Sequence, residues 1–199
     1  MDDTELATIQ AWQKGDEQAV HTIFNSYYPR AVRLAALSGL ASEEAQDCAQ
    51  EAFLLAFERR AQLRDPAAFP LWFHRIITHR ILDTLEARQR TRKVSLEALQ
   101  EIRENWEGNR AAQPEELAIS AERSQQLWQS VQQLPAQYRV PLVLRYYGNF
   151  SLAEVAALIG KREGTIRVTI HRALQQLRLL TKEHAIAEEV PLPHELSLS

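Results

Sequence analysis

Apolar residues recur along this chain at three- and four-residue intervals, and no run of alternating apolar and polar positions interrupts them. That spacing lines one face of a helix. Between 16 and 40 the stripe is Val20, Phe24, Tyr27, Tyr28, Val32, Leu34 and Leu37; between 43 and 60 it is Ala45, Cys48, Ala52, Phe53, Leu55 and Ala56. Each predicts a helix with one buried face. LRDPAAFP (63–70) breaks the pattern, and Pro70 suits the first turn of a new helix through Trp72, Phe73, Ile76, Ile77 and Ile81. With only six glycines in 199 residues, the pattern predicts an all-α protein.

From about residue 94 the apolar density falls, leaving a thin stripe of Leu96, Leu99, Ile102 and Trp106 before Gly108 and Pro114. This segment reads as a flexible linker between two small helical domains. Helical patterning resumes at Leu117 and runs to about Leu180, with interruptions at Pro135, near Gly148 and at Gly160. The expected organisation is a first domain over 1–93, an acidic linker over 94–120, a second domain over 121–182 and a loose acidic tail over 183–199.

The second domain ends in a recognisable motif. Ser151 and Glu154 form a Ser-x-x-Glu capping box, which starts a short helix through Val155 and Leu158 that turns at Gly160. A longer helix follows, with Ile166, Ile170, Ala173, Leu174 and Leu177 on one face. Short helix, glycine-containing turn and longer helix make a helix-turn-helix. The opposite face of the second helix carries Thr165, Val168, His171, Arg172 and Gln175, flanked by Arg167 and Thr169. Such a face suits a DNA major groove: arginine pairs with guanine edges, Val168 and Thr169 can touch thymine methyls, and Lys161 and Arg162 stand where phosphates are favoured. The same composition also suits the solvent side of a bundle helix, a reading that the turn and the capping box disfavour.

Charge sharpens the picture. The net charge of −3 hides strong segregation. Residues 1–60 carry ten acidic and five basic side chains, whereas 61–93 carry seven basic and three acidic. Residues 94–122 carry seven acidic and two basic, whereas 123–182 carry nine basic and two acidic. Two basic blocks separated by acidic ones suggest two surfaces facing a polyanion. The single cysteine, Cys48, excludes an internal disulfide framework, and on an apolar stripe it reads as buried packing rather than a redox switch. His79 and Asp83 stand four residues apart, but no third ligand converges on them, so no metal or cofactor is expected. The acidic start MDDTELATIQ lacks the basic leader and apolar run of a signal peptide, and no segment has the ~20 apolar residues of a membrane span. A cytoplasmic protein is expected.

One resemblance joins these features. LPAQYRVPLVLRYYGNFSLAEVAALIGKREGTIRVTIHRALQQLR (134–178) resembles the promoter-binding C-terminal domain of bacterial sigma factors, sigma-70 family, of the small extracytoplasmic-function (ECF) type. The N-terminal half resembles the same family's other domain. DEQAVHTIFNSYYPRAVRLA is similar to its first helix, EEAQDCAQEAFLLAF to its polymerase-binding helix, and LRDPAAFPLWFHRIITHRILDTLEARQR to the segment that reads and opens the start-proximal element.

The resemblance implies a dissociable, non-catalytic subunit that binds core RNA polymerase, directs it to promoters and helps to open the DNA. Asp47, Gln50 and Glu51 would dock on the clamp coiled coil of the largest subunit, with the flap region as a second contact. Arg64, Asp65, Trp72, Arg75, His79, Arg80, Arg88 and Arg90 would serve the −10 element and melting. Lys161, Arg162, Thr165, Arg167, Val168, Thr169, His171 and Arg172 would read the −35 element. The acidic linker would thread a positively charged channel, and an anti-sigma factor would wedge between the domains. His79, Arg162, Val168 and Thr169 depart from the family's usual residues, which leaves the promoter sequence open. The competing expectation is an operator-binding helix-turn-helix regulator acting without core polymerase, which leaves DCAQEAF unexplained.

Overall fold

A computed structural model of the chain describes residues 3–94 and 127–183, with side chains over 3–90 and 127–181. The linker and tail assignments lie outside the described residues. Every regular element among the described residues is helical.

The N-terminal part is built on four α-helices: α1 (Asp3–Gln13), α2 (Glu17–Leu37), α3 (Ser42–Glu58) and α4 (Phe69–Val94). Asp16 starts α2 by accepting the Ala19 N–H at 2.8 Å, and Glu44 steadies the start of α3 by accepting the Ala41 N–H at 2.9 Å. The first helix expected from the apolar pattern lies between 16 and 40; the structure adds α1 before it. Ile9 and Trp12 anchor α1 to the core, and the Tyr27 hydroxyl donates to Glu5 Oε1 at 2.9 Å.

The buried face of α2 is rotated from expectation, whereas on α3 Ala45, Cys48, Ala52 and Ala56 are buried as expected, with Ala49 joining them and Phe53 and Leu55 only half-buried. The inward residues are Ala19, Ile23, Tyr27, Ala31, Leu34 and Ala35 on α2, and Ala45, Cys48, Ala49, Ala52 and Ala56 on α3. Val20, Phe24, Val32 and Leu37 sit at the margin. Alanines let two helix backbones approach closely, so they take the contact line and the larger side chains pack along its rim. Trp12, Tyr27, Phe69 and Phe73 then fill the space between α1, α2 and α4 edge to face and by stacking.

The C-terminal part comprises helical residues 127–133 (α5), α6 (Ala136–Tyr146), α7 (Leu152–Ile159) and α8 (Glu163–Glu183). Its core is Leu134, Val140, Leu144, Val155, Leu158, Ile166, Ile170, Ala173 and Leu177. The expected capping box is present: Ser151 Oγ accepts the Glu154 N–H at 3.2 Å while Glu154 Oε2 accepts the Ser151 N–H at 2.8 Å. The Ser151 N–H and the Ser151 hydroxyl, which also donates to Glu154 Oε2 at 2.8 Å, favour the ionised carboxylate and lower its pKa. Gly160 ends α7 in the left-handed region at φ 73°, which glycine adopts without penalty.

The two parts pack together along a seam between α2 and α4 on one side and α6 and α7 on the other. Arg139 lies in it, only 9% exposed, its Nε donating to Ser38 O at 2.8 Å and its Nη1 to Gln132 O at 2.6 Å. Arg33 lies over the Tyr147 ring, and His74 packs edge-on against Phe150 with ring centroids 4.9 Å apart.

His74 gives this seam a pH dependence. Burial lowers its pKa, Arg30 on α2 adds to the lowering, and only the bond between Nδ1 and Pro70 O opposes them. The unfolded histidine therefore binds a proton below about pH 6.5 that the native one refuses. Stability is expected to fall as pH drops below that value and to level off below the lowered native pKa. Thermal melts from pH 7.5 to 5.0 should show this loss in excess of that of His74→Gln; parallel curves would refute it.

Candidate nucleic-acid interface

The reading helix of the helix-turn-helix presents the face that its sequence predicts. Lys161, Arg162, Thr165, Arg167, Val168, His171 and Arg172 are exposed and Thr169 is half-buried, while Ile166 and Ile170 point into the core. Val168 is 50% exposed, a large apolar surface that a partner can cover. The Arg162 carbonyl accepts the Thr165 N–H at 3.0 Å, so Arg162 occupies the N-cap position with no side-chain oxygen to offer. Arg167 is loosely held by Glu163 at 3.2 Å, and His171 and Gln175 touch at 3.0 Å. Exposed i,i+4 contacts of this kind are weak and readily exchanged for contacts to DNA.

On α4 the basic block divides between two faces. Arg75 and His79 lie on the exposed side, with His79 Nδ1 held 2.7 Å from Arg75 O. Arg80 and Arg88 lean onto α3 instead. Arg80 pairs with Glu51 at 2.7 Å and Arg88 with Glu44 at 3.1 Å, and Arg88 also donates to Gly39 O at 3.2 Å. Arg80 Nε is buried without a hydrogen-bond partner, so the pair leaves this guanidinium incompletely satisfied. Arg90 is exposed beside Glu86 at 3.9 Å.

The loop before α4 is shaped by two 3-10 turns, Arg60–Gln62 and Pro66–Ala68. Arg64 and Asp65 are exposed, and Asp65 caps the second turn by accepting the Ala67 N–H at 2.9 Å. Trp72 is half-buried, with ring centroids 6.3 Å from Trp12 and 6.1 Å from Phe69. Its ring belongs to the aromatic cluster and only part of it is available to a base.

Asp47, Gln50 and Glu51 all stand on the exposed side of α3. Leu54, 66% exposed, extends the same stripe at i+4 from Gln50 and i+3 from Glu51, a spacing the sequence shows but the sequence reading passed over. Cys48 lies on the inner side of α3, 3% exposed, and burial with the nearby Glu51 charge pushes its thiol up to about 12. No helix among the described residues is long and apolar enough to cross a membrane.

The comparisons with known proteins agree with this layout. The family model for sigma-70 region 2 matches residues 23–91, and that for sigma-70 region 4 matches residues 124–177. The RNA polymerase sigma-H factor of Pseudomonas aeruginosa is 30% identical over 173 residues, covering 85% of this chain and 89% of that protein. The chain belongs to the sigma-70 family, as a member of its ECF type. The ECF sigma factor SigM of Mycobacterium tuberculosis is also 30% identical, covering 89% of this chain and 84% of its own length. Among solved structures, the sigma factor RpoE in complex with the anti-sigma factor NepR from Bartonella quintana shares the fold with a TM-score of 0.64 at 18% identity, covering 81% of this chain and 96% of that one. CnrH in complex with the cytosolic domain of CnrY gives 0.62 at 20% identity, covering 91% and 99%.

Proposed function

We propose that this chain is an alternative sigma factor that binds core RNA polymerase, directs it to specific promoters and helps to open them, without catalysis of its own and in the cytoplasm. One observation supports this above the rest: regions 2 and 4 of the family occur in order on one chain, each with an exposed basic helix face, beside an exposed acidic stripe on α3. In this reading residues 1–93 form the −10 domain and 121–182 the −35 domain. Thr165, Arg167, Val168, Thr169, His171 and Arg172 read the −35 element, with Lys161 and Arg162 on its phosphates. Arg64, Asp65, Arg75, His79 and Arg90, with the accessible part of Trp72, meet the −10 strand; Arg80 and Arg88 join them by exchanging their carboxylate partners for phosphate.

The acidic stripe of Asp47, Gln50 and Glu51 docks on a basic coiled coil of the polymerase, with Leu54 as its apolar anchor. An anti-sigma partner fits the same family pattern. The test is to mix the purified chain with bacterial core RNA polymerase, isolate the complex by size exclusion and transcribe genomic fragments. A stable complex giving discrete run-off transcripts is the expected result. Tight duplex binding by the chain alone, with no polymerase association, would overturn the reading in favour of an operator-binding regulator.

A further inference from the structure

The loop that carries Arg64 and Asp65 is fixed only at its ends. Leu63, 5% exposed, and the fully buried Phe69 anchor it in the core, and between them residues 64–68 bury no side chain. Its entry is the 3-10 turn Arg60–Gln62, in which Arg60 O accepts the Leu63 N–H at 3.2 Å, and its exit is the turn Pro66–Ala68, in which Asp65 O accepts the Ala68 N–H at 3.0 Å. Short turns of this kind are weak by themselves.

Helix α1 supplies the missing support. Gln13, its last residue, is half-buried and donates from Nε2 to Leu63 O at 2.6 Å, with Arg60 O a second acceptor at 3.4 Å. The entry turn uses the Leu63 N–H and not its carbonyl, so a side chain 50 residues away provides the donor. At the exit, α1 lies against the Pro66–Ala68 turn, and Trp12 sets its ring edge-on to Phe69 with centroids 5.0 Å apart. Gln13 is itself held in place: Ile9 and Trp12 bury the same helix, and Gly15, at φ 85°, turns the chain directly into the Asp16 cap of α2.

We propose that Gln13 is a positioning residue for recognition of the −10 strand: by holding Leu63 O it sets the loop 64–68, and with it Arg64 and Asp65, before an unpaired base arrives. This step rests on the promoter reading above. Ordering a loop at the moment of binding costs conformational entropy, and a loop ordered beforehand avoids that cost. The larger consequence is for specificity. A mobile loop adapts its polar groups to a wrong base, whereas a fixed one leaves them unmatched and rejects it.

Hydrogen exchange and run-off transcription with the full chain test the brace. Gln13→Met keeps the length of the side chain and loses the donor; Gln13→Lys brings back a donor of comparable reach. In the free chain, the backbone amides of Leu63, Ala67 and Ala68 should exchange about 5-fold faster in Gln13→Met, the effect of one lost hydrogen bond, and return towards wild-type rates in Gln13→Lys. Far-UV circular dichroism and exchange within α3 should not change. With core polymerase, transcript yield is compared between a promoter and templates carrying single-base substitutions in its −10 element. Gln13→Met should lower the ratio of native to substituted yield by about 5-fold with polymerase assembly intact, and Gln13→Lys should recover it. A merely structural Gln13 would scale every template alike, so an unchanged ratio overturns the proposal, as does wild-type exchange in Gln13→Met. Absence of any transcript from the wild-type chain sinks the promoter reading instead, and the exchange rates still decide whether α1 holds the loop.

Discussion

If α3 docks on core RNA polymerase as proposed, replacing Gln50 and Glu51 together by arginine is expected to abolish assembly with it and, with that, every run-off transcript, while the chain stays folded. Both positions are exposed on α3, so the substitutions should cost no more than ~1–2 kcal/mol, mainly through the lost Glu51–Arg80 pair. Their effect on docking is larger in kind. In the proposed docking, a stripe carrying the carboxylates of Asp47 and Glu51 would meet a basic coiled coil; the substitutions make it cationic, and removing one partner of a desolvated interfacial charge pair alone costs ~2–5 kcal/mol. The expected loss of affinity is at least ~100-fold, measured by titrating labelled chain with core enzyme. Glu51 also pairs with Arg80 at 2.7 Å, so reversal places like charges side by side on α3 and α4. Arg80→Gln separates the two effects: it should retain polymerase binding and lose promoter opening. A double-arginine variant that still assembles at wild-type concentrations would remove α3 from the docking surface.

The Arg80–Glu51 pair marks the limit of what the sequence alone shows. Its two residues read as belonging to different partners, DNA and polymerase, because charge blocks were separated along the chain. The fold brings the blocks face to face, and no local pattern announces a contact between positions 51 and 80. Periodicity was legible where large apolar residues carry it. The stripes of α4 and α8, through Phe73, Ile76, Ile77 and Ile81 and through Ile166, Ile170 and Leu177, match the buried faces. On α2 the heaviest apolar residues pulled the expected stripe off the line of Ala19, Ala31 and Ala35 that makes the contact, whereas on α3 the expected stripe already held Ala45, Ala52 and Ala56 and lacked only Ala49. Helix α1 escaped notice for a related reason, since in DTELATIQAWQ only Ile9 and Trp12 are buried. The capping box and the Gly160 turn were legible because each is a local backbone requirement with a small set of solutions. The Arg139 bond across the seam was not, since a buried arginine bonded across 101 residues leaves no periodic trace.

Phe69→Ala is expected to be the most damaging single core substitution in the N-terminal domain. The ring is fully buried, set edge-on to Trp12 at 5.0 Å and to Tyr27 at 5.1 Å and stacked on Phe73 at 5.9 Å. Truncating such a ring costs ~3–5 kcal/mol through lost transfer energy and the cavity left behind. Neighbours cannot collapse into that space, because Trp12 is fixed by α1 and Tyr27 by its bond to Glu5. The damage also reaches the proposed −10 surface. Phe69 opens α4 and its N–H closes the Pro66–Ala68 turn, so the same ring anchors the loop carrying Arg64 and Asp65. Leu71→Ala, on the same helical turn but 37% exposed, should cost under ~1.5 kcal/mol and leave the loop in place. Urea unfolding should separate the two variants by at least ~1.5 kcal/mol. Promoter opening measured under conditions where both remain folded should fall only for Phe69→Ala, since only that ring couples the aromatic cluster to the loop; equal midpoints for the two variants would show that the cluster repacks and that the loop is held from elsewhere.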